Sequence, residues 1–266
     1  MPLTKGGATR RRVRFGRLRK SKRRAVKKGK GRVRQRGGEV SESIPVQVYT
    51  CWLGPWEMSE ARKRCLESIK KNIGVKHIHI TDENLKEYIK PEAPLHEAYQ
   101  YLCAVHRADY LRCYLMHHYG GGYTDVKQTD YSWEPYFKEL DAAKDKWLLG
   151  YKEASSDGAA YFLGKPEDEK LVKDNWEKLI GNCAYICRAN TPFTKEWYES
   201  TNRELDKHLE ALKKNPSKLA RNSSRITPEY PIEWAGILGA IFHPLCVKYH
   251  DKLIQSLPVI NNKDYV

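Results

Sequence analysis

The sequence has no run of about 18 apolar residues, so no membrane-spanning helix is expected. No apolar segment follows its N-terminal charges, so no secretory signal is expected either. The seven cysteines are odd in number and none forms a Cys-x-x-Cys pair. Cys183 and Cys187 stand four apart, but no His or Cys cluster completes a zinc-binding pattern. Several cysteines lie inside apolar runs, as buried thiols do, and the expected compartment is reducing and cytoplasmic. The sequon Asn222-Ser223-Ser224 is accordingly expected to be bare. Acid is nearly absent from the first 40 residues, where Glu39 stands against 17 Lys and Arg. Large apolar residues are also scarce there: Val13, Phe15, Leu18, Val26 and Val33 are scattered. Such a segment cannot bury enough surface to offset its ordering entropy, so it reads as a disordered tail.

Basic residues fill that gap. The whole chain is +15, residues 1–40 carry +16, and the remainder, with 31 bases against 32 acids, carries −1. The high isoelectric point therefore belongs to a tail (1–40), and residues 41–266 form a near-neutral body long enough for a sizeable core. A dense Lys/Arg arm attracts nucleic acid, an anionic membrane or another polyanion. The run Lys20-Ser21-Lys22-Arg23-Arg24 fits a nuclear-localisation signal and leaves nuclear or virion-associated placement open. A solvated tail without a specific partner is the competing reading.

Along the body, Pro45–Cys51 alternates and predicts a first strand. A helix is predicted over Ser59–Asn72 with Gly74 as its stop, then a strand over His77–Thr81, then a helix Glu83–Ile89 capped by Asp82. This β-α-β-α opening is the pattern of a mainly parallel sheet flanked by helices. Residues 95–119 read as helical, with Ala104, Ala108, Leu111 and Leu115 forming a buried stripe. Strands are predicted at Tyr123–Lys127, Trp147–Tyr151, Ala159–Leu163 and Ala184–Arg188. Helices are predicted at Glu167–Leu179 and Phe193–Lys213, with a last one within Ile232–Phe242. The segment Lys214–Pro228 reads as a loop.

Asp109 and Arg112, three apart on a helix, share a flank beside the buried stripe. They suit an internal ion pair, or a sugar hydroxyl and a phosphate. Gly120-Gly121-Gly122 permits a sharp turn and close approach of a ligand. Beyond it, Tyr123, Asp125 and Lys127 fall on one face of a strand. Asp125 and Lys127 thus emerge at a strand end, where open α/β sheets bind ligands. There an Asp suits a divalent metal or a ribose hydroxyl, and a Lys suits a diphosphate.

Ala108-Asp109-Tyr110-Leu111-Arg112, followed by Tyr119-Gly120-Gly121-Gly122-Tyr123-Thr124-Asp125, resembles the core of the DxD-containing sugar transferases. That group includes capsular polysaccharide synthesis proteins, fungal initiating mannosyltransferases and the glucosylating domains of clostridial toxins; a viral or microbial member is the expectation. The resemblance implies a GT-A fold over about residues 45–250, a UDP- or GDP-sugar donor, and a glycan or glycoprotein acceptor. Carried over, Asp109 would bind ribose or donor sugar, Arg112 would lie near the phosphates, and Asp125 would be the first DxD acid. Trp52 resembles the aromatic that stacks on the base, with Thr50 and Tyr123 also on the donor side, and a core Trp is its alternative. Asn182 resembles an Asn beside the donor sugar. His243 is a candidate metal or phosphate contact, or a structural His. Asp157 is a candidate catalytic group on the acceptor side.

Lys127 departs from the pattern, because it stands where the second DxD acid belongs. Two carboxylates need a divalent cation (manganese or magnesium) between them and a diphosphate, whereas one carboxylate and one Lys change that local charge balance by two units. Weakened metal dependence with Lys127 as a catalytic cation is one expectation. A metal site repaired by Asp130 or Glu153 is another, and a fold that binds without catalysis is a third. A nucleic-acid-binding protein acting through the tail, or a transferase acting on a DNA base, remains the alternative function.

Overall fold

The computed structural model describes residues 43–160, 165–217 and 229–260. The chain divides into two units, Met1–Gly37 and Gly38–Val266. All described residues belong to the second, and the expected disordered tail lies outside them. The loop expected over Lys214–Pro228 and the sequon at Asn222 also lie largely or wholly outside.

Six strands form one sheet: β1 Gln47–Cys51, β2 Lys76–Ile80, β3 Gly121–Thr124, β4 Leu148–Lys152, β5 Ile180–Cys187 and β6 Leu253–Ile254. Their order is β2-β1-β3-β5-β4-β6. β5 pairs antiparallel with β3 and β4, and the other pairings are parallel. Five strands therefore point their C-terminal ends the same way, which gives the sheet one ligand end. The fold class is the one expected, α/β with a mainly parallel sheet between helices.

Period-2 alternation builds both layers. Tyr49, Tyr123, Tyr185 and Leu148 face a core shared with α2 (Ala104–His118), α5 (Pro192–Lys214) and α6 (Gly239–Lys248). Val48, Ala184, Ile186 and Leu149 face Ile69 and Ile73 around α1 (Glu60–Asn72) and Phe137 and Leu140 of α3 (Glu134–Ala142). A further helix, α4, spans Pro166–Asp174. Among the described residues no helix is long and apolar enough to cross a membrane.

Several expectations are corrected. Asp82 does not cap a helix: its Oδ2 accepts the Gly54 N–H at 2.7 Å, and the segment is a short 3-10 turn, Leu85–Tyr88. The stretch 95–119 breaks into a 3-10 turn, Glu97–Tyr101, and α2. α2 is buried on nearly all sides and not along one stripe, because the 89–101 segment covers it. Tyr110 accepts the His96 N–H, and Tyr114 accepts the Lys90 N–H while donating to the Ala93 carbonyl. Ala159 and Ala160 are not in a strand; residues 161–164 are outside the described set. The last helix begins at Gly239 and carries Pro244 inside it. The glycines turn the chain from α2 into β3, with positive φ at Gly120 (70°) and Gly121 (89°). They lie at the opposite end of β3 from Asp125. A β-carbon on Gly121 would stand 2.9 Å from the Gln47 carbonyl, and one on Gly122 2.9 Å from Val48 Cγ2.

Candidate active site

The chain reverses between α2 and β3, so the N-terminal half of α2 lies beside the C-terminal end of β3. That places Asp109 and Arg112 against Asp125. Arg112 Nη2 is 3.0 Å from Asp109 Oδ1 and 3.2 Å from Asp125 Oδ1. Its Nη1 donates to the Asn182 carbonyl at 2.8 Å. The guanidinium lies over the Tyr123 ring, 4.5 Å from the centroid, and the Tyr123 hydroxyl donates to Asp125 Oδ1 at 3.1 Å. A buried guanidinium is thus held by two carboxylates, a carbonyl and a π face at once.

Strand β3 ends at Thr124 and does not reach Lys127. The Lys127 N–H donates back to the Asp125 carbonyl at 2.7 Å, a three-residue turn. The turn folds the Lys127 ammonium toward Asp125 Oδ2, 3.6 Å away, and it donates to Cys183 Sγ at 2.9 Å. Helix α1 fixes the following segment: Arg62 Nη1 donates to the Val126 carbonyl (2.7 Å) and Asn72 Nδ2 to that of Thr129 (2.7 Å).

The two carboxylates titrate apart. Burial pushes Asp109 up to about 7; Arg112 opposes this and Asp125 adds to it. Burial acts upward on Asp125 too, but Arg112 and Lys127 outweigh it and hold the carboxyl below its ordinary value. Asp125 also keeps 24 % of its side chain exposed, against 3 % for Asp109. A part-exposed carboxylate held below its ordinary range and a buried one raised toward neutrality stand on either side of one guanidinium.

The other expected residues divide. Asn182 joins the cluster through its carbonyl, and its buried Oδ1 has no hydrogen-bond partner. Trp52 follows β1 at the ligand end and packs with Met58 against Cys65, Leu66 and Val126, its indole N–H donating to the Trp56 carbonyl at 2.8 Å. Thr50 is fully buried and turns away: its Oγ1 meets His77 Nε2 at 2.9 Å and His79 Nδ1 at 2.8 Å. Asp157 is exposed on a 3-10 turn, its N–H bonded to Ser155 Oγ. His243 is buried inside α6, its Nδ1 accepts the Ala160 N–H at 2.9 Å, and burial drives its pKa down to about 4.

Asp125 Oδ1 is engaged by Arg112 and Tyr123, and Oδ2 faces the Lys127 ammonium. Among the described residues no group of three His, Cys, Asp or Glu stands together. Asp130, exposed, is bonded by Gln128. Glu153 sits beyond β4 with its carboxyl raised by burial to about 7.

Sequence reasoning missed Cys183 and Arg62. Cys183 and Arg62 carry no local signal, since their roles exist only through cross-strand register and the contact of α1 with the segment after β3.

No curated protein matches the chain. A family model described as capsular polysaccharide synthesis protein matches residues 19–165, more than half of the chain. The match takes in Asp109, Arg112, Asp125 and Lys127 and stops before Asn182; the chain belongs to the capsular polysaccharide synthesis protein family.

Proposed function

We propose that the protein is a glycosyltransferase that moves a hexosyl or related unit from a UDP- or GDP-sugar to a hydroxyl of a glycan or glycoprotein. The observation that carries this is the Asp109–Arg112–Asp125–Lys127 cluster at the C-terminal ends of the parallel strands. Trp52 would flank the base. Asp109, Tyr123 and Asn182 would line the donor, with the bare Asn182 Oδ1 accepting from a sugar hydroxyl. Arg112 and Lys127 would stabilise the departing diphosphate, the place where negative charge grows as the glycosyl bond breaks. Asp125 orients both cations. With Lys127 inside the cluster, the charge role of a metal is taken by fixed side chains. The acceptor hydroxyl would pass its proton to the leaving phosphate and attack the face that the phosphate leaves, so retention needs no separate base.

The test is a thermal-shift and donor-hydrolysis screen of UDP-, GDP- and ADP-sugars on the full chain, with manganese and with EDTA. A ligand of the folded state raises the midpoint. A shift with one donor that survives EDTA and disappears in Arg112→Gln supports the reading; no shift with any donor overturns it.

The segregation of +16 into residues 1–40 favours a second, separable activity, polyanion binding by the tail. Removing residues 1–40 should abolish salt-sensitive DNA retention and leave donor hydrolysis intact. Loss of both together would tie the tail to catalysis.

A further inference from the structure

Among the described residues β2 is an edge strand of the sheet, and it carries His77-Ile78-His79. Ile78 packs into the core on the α2 side, so alternation turns His77 and His79 together to the other face. His79 stands opposite Thr50 in the parallel register with β1. Both imidazoles are half-buried, and both reach one atom. Thr50 Oγ1 is 2.9 Å from His77 Nε2 and 2.8 Å from His79 Nδ1. Thr50 shares the face of Val48, whereas Tyr49 and Cys51 pack on the α2 side. The Asp109–Arg112–Asp125 cluster is also on the α2 side, so the sheet separates it from this group.

A hydroxyl serves two imidazoles unequally. It has one hydrogen, so it donates to one ring nitrogen and must accept an N–H from the other. A metal ion takes a lone pair from each donor alike. An imidazole nitrogen binds such an ion at about 2.0–2.1 Å, which sets two donors at right angles on it about 2.9 Å apart. Both contacts to Thr50 have that length. The ring centroids are 6.2 Å apart and the planes tilt by 41°, so the rings splay about the hydroxyl and do not stack.

The rings are also in the form that ligates. Burial, followed by His79 and Lys70, holds His77 down to about 4, and burial with Lys70 lowers His79, so both are neutral at pH 7. Among the described residues the charged groups acting on them are Lys70 and Glu67 of α1, bonded to each other at 2.7 Å and at least half exposed. Imidazole and oxygen donors at right angles suit copper(II) or nickel(II), and copper(II) binds more tightly.

We propose that His77 Nε2, His79 Nδ1 and Thr50 Oγ1 form a three-donor site for copper(II) or nickel(II), which clips β2 to β1 at the sheet edge, with water in the remaining positions. The site is independent of the transferase reading.

The full chain is titrated with copper(II) and nickel(II) chloride by calorimetry at pH 7.5, and the copper form is read by electron paramagnetic resonance. Expected are one bound copper, nitrogen hyperfine structure from two imidazoles, and a raised melting midpoint. His77→Gln and His79→Gln should each weaken copper binding at least about ten-fold and cancel the rise in midpoint. Thr50→Val should weaken it less. His118→Gln is the control, because the His117 and His118 rings also stand together, with centroids 4.7 Å apart; it should bind copper as wild type does. The wild-type spectrum reads the donors directly, so the test survives a variant that fails to fold. The proposal is overturned if the wild type binds no copper, if its spectrum shows fewer than two imidazole nitrogens, or if His77→Gln and His79→Gln keep wild-type affinity. Loss of binding in His118→Gln alone would overturn it as well.

Discussion

Helices α1 and α2 both carry acid–base pairs three residues apart, at nearly the same distance, yet with opposite meaning. On α1, Glu60–Lys63 closes to 2.8 Å and Glu67–Lys70 to 2.7 Å; on α2, Asp109–Arg112 closes to 3.0 Å. The side chains of Glu60 and Lys63 are 78 % and 52 % exposed, those of Asp109 and Arg112 3 % and 7 %. α1 buries only Cys65, Leu66 and Ile69, while α2 buries His106 and every residue from Asp109 to Met116. Water supplies what the α1 charges need. The α2 charges must be supplied by the protein, at a desolvation cost that a hydrophobic pair would avoid. Geometry is shared and burial is not, which is why the α2 pair reads as a site.

The widest separation between the two helices should come from Arg112→Met. Removing the cation leaves Asp109 and Asp125 facing each other without their shared partner, and breaking a buried pair from one side costs about 3–5 kcal/mol. Urea denaturation should show that loss, and donor hydrolysis should vanish with it. A double replacement, Asp109→Leu with Arg112→Met, should recover much of the stability and none of the activity. If the double variant stays active, the cluster is structural and the comparison collapses.

Lys127→Ala should come next. Lys127 is nearly as buried as Arg112, with 9 % of its side chain exposed against 7 %, but it stands farther from Asp125, at 3.6 Å against 3.2 Å, so folding should change less than in the Arg112 variant. Losing one fixed positive group at the departing diphosphate should lower turnover on the order of 10²- to 10³-fold. EDTA should leave wild-type turnover essentially unchanged. Undiminished turnover in Lys127→Ala, or turnover that follows added manganese, would remove the role assigned to Lys127.

Much of this contrast is legible in the residues. Asp109 and Arg112 are three apart on a helix, Asp125 follows a glycine turn, and Lys127 breaks the acidic pair; each is a local statement. Legibility fails where the chain answers to distant partners. Burial around nearly all of α2 depends on Tyr110 and Tyr114 bonding to residues 14 to 24 positions earlier, so the apolar stripe understated it. The fold of Lys127 back onto Asp125 depends on one main-chain bond that alternation along a strand cannot express. Thr50 follows the same limit: its neighbours on β2, His77 and His79, capture its hydroxyl. The glycines were rightly read as a turn, but the direction of β3 puts that turn at the end away from Asp125.

A smaller effect lies in pH. The Asp109 carboxyl titrates near 7 in the folded chain and near 4 when unfolded. Between these values the native state holds a proton that the unfolded state has released. Stability therefore falls as pH rises from about 4 to about 7 and levels off above. Asp125 has the opposite sign, since its folded value is depressed, and its stabilisation is lost only on acidification through the carboxylate range. Glu153 shares the direction of Asp109. Asp109→Asn should thus flatten the decline in melting midpoint between pH 5 and 7.5, as sampled by calorimetry, and Asp109→Asn with Glu153→Gln should flatten it further. Parallel curves for wild type and Asp109→Asn would mean that the folded carboxyl is ionised throughout.

The least change should come from α1, and it is the control that gives the others their meaning. Lys63 is held by Glu60, whose acidic character near the helix start already suits the N-terminal dipole. Both side chains are open to solvent, so Lys63→Ala exchanges a screened ion pair for hydrated charge and adds a strong helix former. No measurable shift in melting midpoint is expected at 0.15 M salt, and donor turnover should be untouched. Because the Glu60–Lys63 distance is shorter than the Asp109–Arg112 distance, a null result here shows that proximity does not set the energy of these pairs. A clear destabilisation by Lys63→Ala, comparable with that of Arg112→Met, would mean that burial is not what distinguishes the two helices.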